Sequence, residues 1–261
     1  MQIRALPAQP PVRFAPARAV APASASPLDA TKCALIDSMI RTVPDQGCRV
    51  QLQQALQAMP SEALARIAEY GTVLEVYDKN AAGLPLYAQH LRKPHLDGAY
   101  SPTANVVFVD QHNITPLVLL HEVSHALDMA LGEPSKNSAW VEGCAQARAT
   151  RMCIRPYATH NSAEYFADNL AAHLIGDSQL PGMLKARLQQ QPQLDKSELV
   201  KAHLNYCHGR QLQADSTAHR LCAELLQAMP GLPQAAARPA LSPEAYLAVK
   251  RAELLARKQQ G

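Results

Sequence analysis

The stretch that most limits what this chain can become is PLVLLHEVSHALDMAL, residues 116–131, an apolar run set with two histidines, a glutamate, a serine and an aspartate. Thr115 and Pro116 open it and Gly132 follows it. A threonine hydroxyl caps free N–H groups, proline loses nothing at the first helical position, and glycine suits the residue past the last turn. The spacing predicts a helix over 116–131. On that helix His121 and His125 share one face, so both imidazoles reach a single point, while Glu122 is rotated about 100° to the side. Burying such groups without partners is costly. A metal ion is a partner that takes both imidazoles at once. The pentapeptide His121-Glu122-Val123-Ser124-His125 has the form of a zinc site, with Glu122 left to address a water held by the metal. The opposing reading, a solvated helix face, fits poorly with an apolar helix that directly follows a strand.

Around this helix the chain is rich in straight-chain helix formers. Its 261 residues include 45 Ala and 33 Leu, against eight Tyr, three Phe and one Trp. That balance disfavours an all-β fold and implies a mainly helical α+β protein with a small sheet. Helices are expected over about 29–42, 50–58, 61–69 (capped by Gly71), 162–175 (opened by Asn161 or Ser162, stopped by Gly176), 181–190, 196–208, 211–228 and 242–258, with proline-rich joints at 230–240. The alternating β-branched segments 72–77 (TVLEVY) and 105–110 (NVVFVD) read as strands. A formal charge of +3 from 25 basic and 22 acidic residues is too slight to suggest a nucleic-acid partner. No apolar run approaches the roughly 20 residues needed to span a bilayer.

A catalytic zinc takes three protein ligands and keeps one position open. Two glutamates downstream are candidates for the third. Glu142 stands in Trp140-Val141-Glu142-Gly143, similar to the W-x-x-E-G segment of aminopeptidase-type gluzincins. Glu164 opens Glu164-Tyr165-Phe166-Ala167-Asp168 at the start of a helix, where Glu164 and Asp168 are four apart and one can bind a metal while the other orients a ligand.

The two motifs taken together resemble the metallopeptidases related to the anthrax toxin lethal factor catalytic domain. That family carries HExxHxxD and then Y-x6-E-[FY]-F-A-[ED]; this chain has His121, Glu122, His125 and Asp128, then Tyr157, then Glu164 to Asp168, with the same Tyr-to-Glu spacing. The resemblance covers about residues 95–178. It implies a zincin-like fold, one catalytic Zn2+ on His121, His125 and Glu164, Glu122 as general base, and Tyr157 as donor to a developing oxyanion. It also implies a zinc endopeptidase acting on a protein substrate, with a strand at 105–110 as the sheet edge beside the cleft; the alternatives are a zincin-like binding module that does not cleave and an aminopeptidase-type gluzincin with Glu142 as third ligand. One departure is Asp168, where the family usually has Glu; the shorter arm would lengthen or lose the bond that orients a ligand. Asp128, one turn past His125, is expected to hydrogen-bond near the site, whereas His160 and His173 read as ordinary surface or core histidines. On this view residues 31–178 form the peptidase domain and 179–261 a helical region packed on it or appended to it.

Residues 1–30 hold six of the 20 prolines among Ala, Ser and Arg, with Asp29 as the one acidic residue. They read as a leader without packed structure and lack the apolar core of a secretory signal peptide. Such a start is compatible with export, secreted or injected into a host cell, and equally with a plain tail on a cytoplasmic protein. The six cysteines fall as Cys33/Cys48, Cys144/Cys153 and Cys207/Cys222. Local disulfides are the simplest pairing and would suit an exported protein; reduced buried thiols are the alternative.

Overall fold

The computed structural model of the protein describes residues 28–93, 96–150, 153, 156–176 and 217–259. Residues 1–27 of the expected leader, the helices at 181–190 and 196–208, residues 211–216 of the helix expected at 211–228, and Cys207 lie outside the described residues, while Asp29 and Ala30 of that leader start the first helix. The architecture is α+β and mainly helical, with one small mixed sheet, as the composition implies. In chain order come helix α1 (Ala30–Met39), strand β1 (Ile40–Thr42), α2 (Gln46–Leu56), α3 (Ser61–Tyr70), β2 (Val73–Tyr77), β3 (Gly98–Ser101), β4 (Val106–Asp110), α4 (Pro116–Ala130), α5 (Ser138–Thr150), α6 (Ser162–Ile175), α7 (Thr217–Ala228) and α8 (Pro243–Gln259).

Local chemistry accounts for most of the boundaries. Asp45 caps α2 by accepting from the Cys48 N–H at 2.8 Å, and the Thr115 hydroxyl accepts from Val118 N–H at 3.3 Å to start α4. Gly71 ends α3 in the left-handed region at φ 89°, and a side chain there would meet the Arg238 carbonyl at 3.0 Å. The first helix is shorter than expected: it stops at Met39, because Ile40 to Thr42 are drawn into parallel pairing with β2. Helix α5 is an element that the sequence pattern did not mark.

The sheet order is β1-β2-β4-β3, with β1, β2 and β4 parallel and β3 antiparallel to β4. Leu74, Val76, Val107 and Val109 face the main core, where they meet residues of α1 to α4 and α6. Val106 and Phe108 face a second cluster with Tyr87, Leu91 and Tyr246 of α8. Strand β4 is buried at every position. This corrects one expectation: β4 is a central strand, and the edge next to it is β3. A strand covered on both faces reads as a continuous apolar run, whereas a four-residue edge of Gly, Ala, Tyr and Ser leaves almost no pattern.

The chain past α7 is tied back by its main chain. Ala235, Arg238, Ala240 and Leu241 donate their N–H groups to the carbonyls of Ala130, Tyr70, Gly71 and Ala104. Residues of α7 (Ala218, Leu221, Cys222, Leu225) belong to the main core. The described cysteines, Cys33, Cys48, Cys144, Cys153 and Cys222, are free thiols, so the local pairs 33/48 and 144/153 are not bridged. Cys48, Cys144 and Cys222 instead serve as small buried apolar residues.

Candidate metal centre

Helix α4 runs through the core, buried on most of its circumference, and Ser124 in its middle satisfies its hydroxyl by donating to the Leu120 carbonyl at 2.6 Å. Helix α6 lies beside it, and Asn161 caps α6 by accepting from Glu164 N–H at 2.9 Å. That places Glu164 at the third helical position, where a glutamate often reaches back to the cap. Here it reaches across to α4 instead.

Three ligand-type atoms converge as a result. His121 Nε2 and His125 Nε2 are 3.2 Å apart, and Glu164 Oε2 lies 3.2 Å from the first and 3.4 Å from the second. Ligands at 2.0–2.1 Å around a tetrahedral zinc are separated by roughly 3.3 Å, so the triangle has the size that ion requires. Glu164 Oε2 is buried and accepts no hydrogen bond, and its polar neighbours are the two imidazole nitrogens at 3.2 and 3.4 Å. An orphaned buried carboxylate oxygen facing two imidazoles is a donor set that could hold a cation. On the far side of the ring, the His121 Nδ1–H donates to Asp168 Oδ1 at 2.7 Å, which directs Nε2 toward the other two ligand atoms. The shorter arm at 168 therefore keeps its bond, contrary to the expectation drawn from the family pattern.

The charges of this cluster are strongly coupled. Burial opposes a charged His121, but Asp168, Glu122 and Glu164 outweigh it and push the imidazole up to about 9. Burial likewise opposes the Glu164 carboxylate, and the two histidines hold it far below the usual range. A proton and a divalent cation compete for the same place.

Glu122 and Tyr157 complete a cleft of about 410 Å³ around this triangle. The Glu122 carboxylate comes within 3.9 Å of His121 Nε2. The Tyr157 hydroxyl donates to Glu164 Oε1 at 3.2 Å, and its half-exposed ring stacks on His160. Tyr157 sits on the turn Pro156–Thr159, which Arg148 of α5 clamps through the carbonyls of Thr159 and His160. The opposite wall is β3. Asp110 N–H donates to the Asp97 carbonyl, so in this antiparallel register Gly98 and Tyr100 turn their main-chain N–H and C=O groups to the open edge.

Comparisons with known proteins supply no family. No family model matches this chain, and no curated protein matches it. Among solved structures, the Pro-Pro endopeptidase PPEP-2 from Paenibacillus alvei is similar at a TM-score of 0.43 and 15% identity, over 67% of this chain and 98% of that one.

The remaining sequence candidates fall outside the ligand group. Glu142 lies on the exposed face of α5 and does not line the cleft, while its neighbour Trp140 is buried against Tyr165 and Phe166. Asp128 accepts from Ser135 N–H at 2.8 Å and from its hydroxyl at 2.6 Å, fixing the turn after α4. His160 backs Tyr157, and His173 packs on His219 of α7. A second grouping, Asp78, Asp110 and His112, already has a cation from the chain: Lys79 Nζ is 3.2 Å from Asp110 Oδ2. The wall formed by Gly98 and Tyr100 was missed by sequence reasoning, and the short Gly-Ala-Tyr-Ser segment offers no periodicity by which to find it.

Proposed function

We propose that the protein is a zinc-dependent endopeptidase that holds one Zn2+ on His121, His125 and Glu164. The observation that carries this reading is Glu164 Oε2, buried, accepting no hydrogen bond, and placed at a tetrahedral edge length from two imidazoles of an HExxH helix. The donor set suits zinc, and the two motifs shared with lethal factor-related peptidases support the same assignment. When bound, zinc supplies Lewis acidity, making water a nucleophile near neutral pH and polarising a carbonyl.

The chain's own groups supply the rest. Glu122 takes the proton from the attacking water and returns it to the leaving amine. Tyr157 turns its hydroxyl from Glu164 Oε1 to the oxyanion that develops on the scissile carbonyl. Asp168 holds His121 in one tautomer. The open main-chain groups of Gly98 and Tyr100 pair with an extended peptide. Binding a free terminal amine would need a further carboxylate in the cleft; among the described residues the one beside Glu122 and Glu164 is Asp97, which faces Lys79 at 3.9 Å, and this favours internal cleavage over aminopeptidase action. We extend the proposal to a bacterial protein secreted or injected to cut a host-cell protein, a role with which the proline-rich, acid-poor residues 1–30 are compatible.

The experiment is Glu122→Ala. The variant should retain one zinc per chain by elemental analysis while losing hydrolysis of a quenched-fluorescent peptide library. Full activity in that variant, or a wild type that takes up no zinc, would refute the assignment.

A further inference from the structure

Strand β3 and helix α4 meet at a point where no side chain separates them. A methyl group built on Gly98 would lie 3.0 Å from Val109 Cγ1, 3.0 Å from Val118 Cγ1 and 3.2 Å from Glu122 Cγ. The backbone of Gly98 is not in the left-handed region, so its conformation does not require glycine. The requirement is space. Val109 is a fully buried residue of the central strand and Val118 is buried in the first turn of α4. Both are β-branched and stiff at χ1, so neither can move aside without its backbone. Glu122 is unbranched and partly exposed to the cleft. The valine contacts are the tighter two, and of the three neighbours Glu122 is the one whose stem can shift without its backbone.

We propose that Gly98 is a positioning residue for Glu122: its missing side chain is the space in which the Glu122 stem lies against the edge strand, with its carboxylate beside the three ligand atoms. The inference rests on the reading of Glu122 as general base. A shift of a few tenths of an ångström at Cγ is amplified at the carboxylate oxygens two bonds further out. Displacements of about 1 Å at a reacting group cost on the order of a hundredfold in rate. Gly98 also presents its main chain to the open edge, so one residue sets both the strand that a peptide would pair with and the place of the group that would act on it.

The test compares zinc-loaded wild type with Gly98→Ala by crystallography and kinetics. The expected result is a Glu122 carboxylate moved by about 1 Å with His121, His125 and Glu164 in place, and kcat lowered about ten- to a hundredfold with KM and zinc content unchanged. A Glu122 carboxylate that stays put overturns the inference, as does a parallel loss of KM, zinc and thermal stability, which marks a packing role. Should Gly98→Ala fail to fold, Gly98→Ala with Val118→Ala removes one stiff contact and keeps the one to Glu122. That double variant should fold and remain slow, and wild-type kcat in it overturns the inference. A wild type that cleaves no peptide counts against the peptidase reading alone, because the crystallographic comparison still decides the placement of Glu122.

Discussion

The bond between Asp168 and His121 offers a quantitative test of the metal centre. At 2.7 Å, with the Asp168 side chain only 2% exposed, it is a charge-assisted contact shielded from water. Removing the group that orients a metal-bound histidine typically weakens metal binding 10- to 100-fold, or about 1.4–2.7 kcal/mol. Asp168→Asn keeps an acceptor for Nδ1–H but loses the charge, and belongs near tenfold. Asp168→Ala also leaves the buried Nδ1–H without this partner, a penalty of about 1–3 kcal/mol, and belongs near a hundredfold with a lowered melting temperature. Asp168→Glu introduces the residue more usual in the resembling family, yet here it adds a methylene to a buried side chain that already meets His121 at 2.7 Å. Overpacking of about 1–3 kcal/mol makes it worse than the native aspartate. Zinc affinity measured by competition with a chromophoric chelator at fixed pH distinguishes these cases. Wild-type affinity in Asp168→Ala would show that His121 is not oriented by this bond, or is not a ligand.

Other expectations follow from the same geometry. Tyr157→Phe should lower kcat by about 10²–10³ through loss of an oxyanion donor while elemental analysis still finds full zinc. Glu164→Ala should abolish stoichiometric zinc and Glu142→Ala should not; the reverse outcome would restore the aminopeptidase arrangement. In zinc-free protein the raised His121 value, about 9 against an ordinary 6.5, stabilises the fold fully below pH 6.5 and loses that contribution as pH rises through 9. Zinc must displace this proton, so its apparent affinity should rise over the same interval, with proton release seen by calorimetry in buffers of different ionisation enthalpy.

The helices that carry the centre were legible because their ends are chemically marked: Thr115 and Pro116 for α4, Asn161 and Gly176 for α6. The pairing of His121 and His125 follows from helical period alone. The choice of Glu164 over Glu142 did not follow from period, since it depends on α6 packing beside α4 and α5 turning Glu142 outward. The edge strand was assigned to 105–110 because burial on both faces gives β4 the strongest pattern, while β3 is defined by its partner and not by its composition. Strand β1 and helix α5 were hidden for a like reason. Ile40 leaves a helical run because β2 offers it hydrogen bonds, and α5 is a weakly patterned segment anchored by Trp140 on α6.

The tie between residues 235 and 241 and the carbonyls of Ala130, Tyr70, Gly71 and Ala104 bears on how the protein opens. These bonds join the late part of the chain to the ends of α3 and α4 and to the loop before β4, the segments that lead into the sheet and close the helix of the cleft. Local opening should then include both segments in one cooperative unit. The amides of Arg238 and Leu241 should exchange with solvent as slowly as those of β4, although they sit in a proline-rich stretch without helix or strand. A fragment cut at residue 178 would contain every proposed ligand and the whole sheet, and still lack the main-chain bonds that tie the ends of α3 and α4 and the loop before β4.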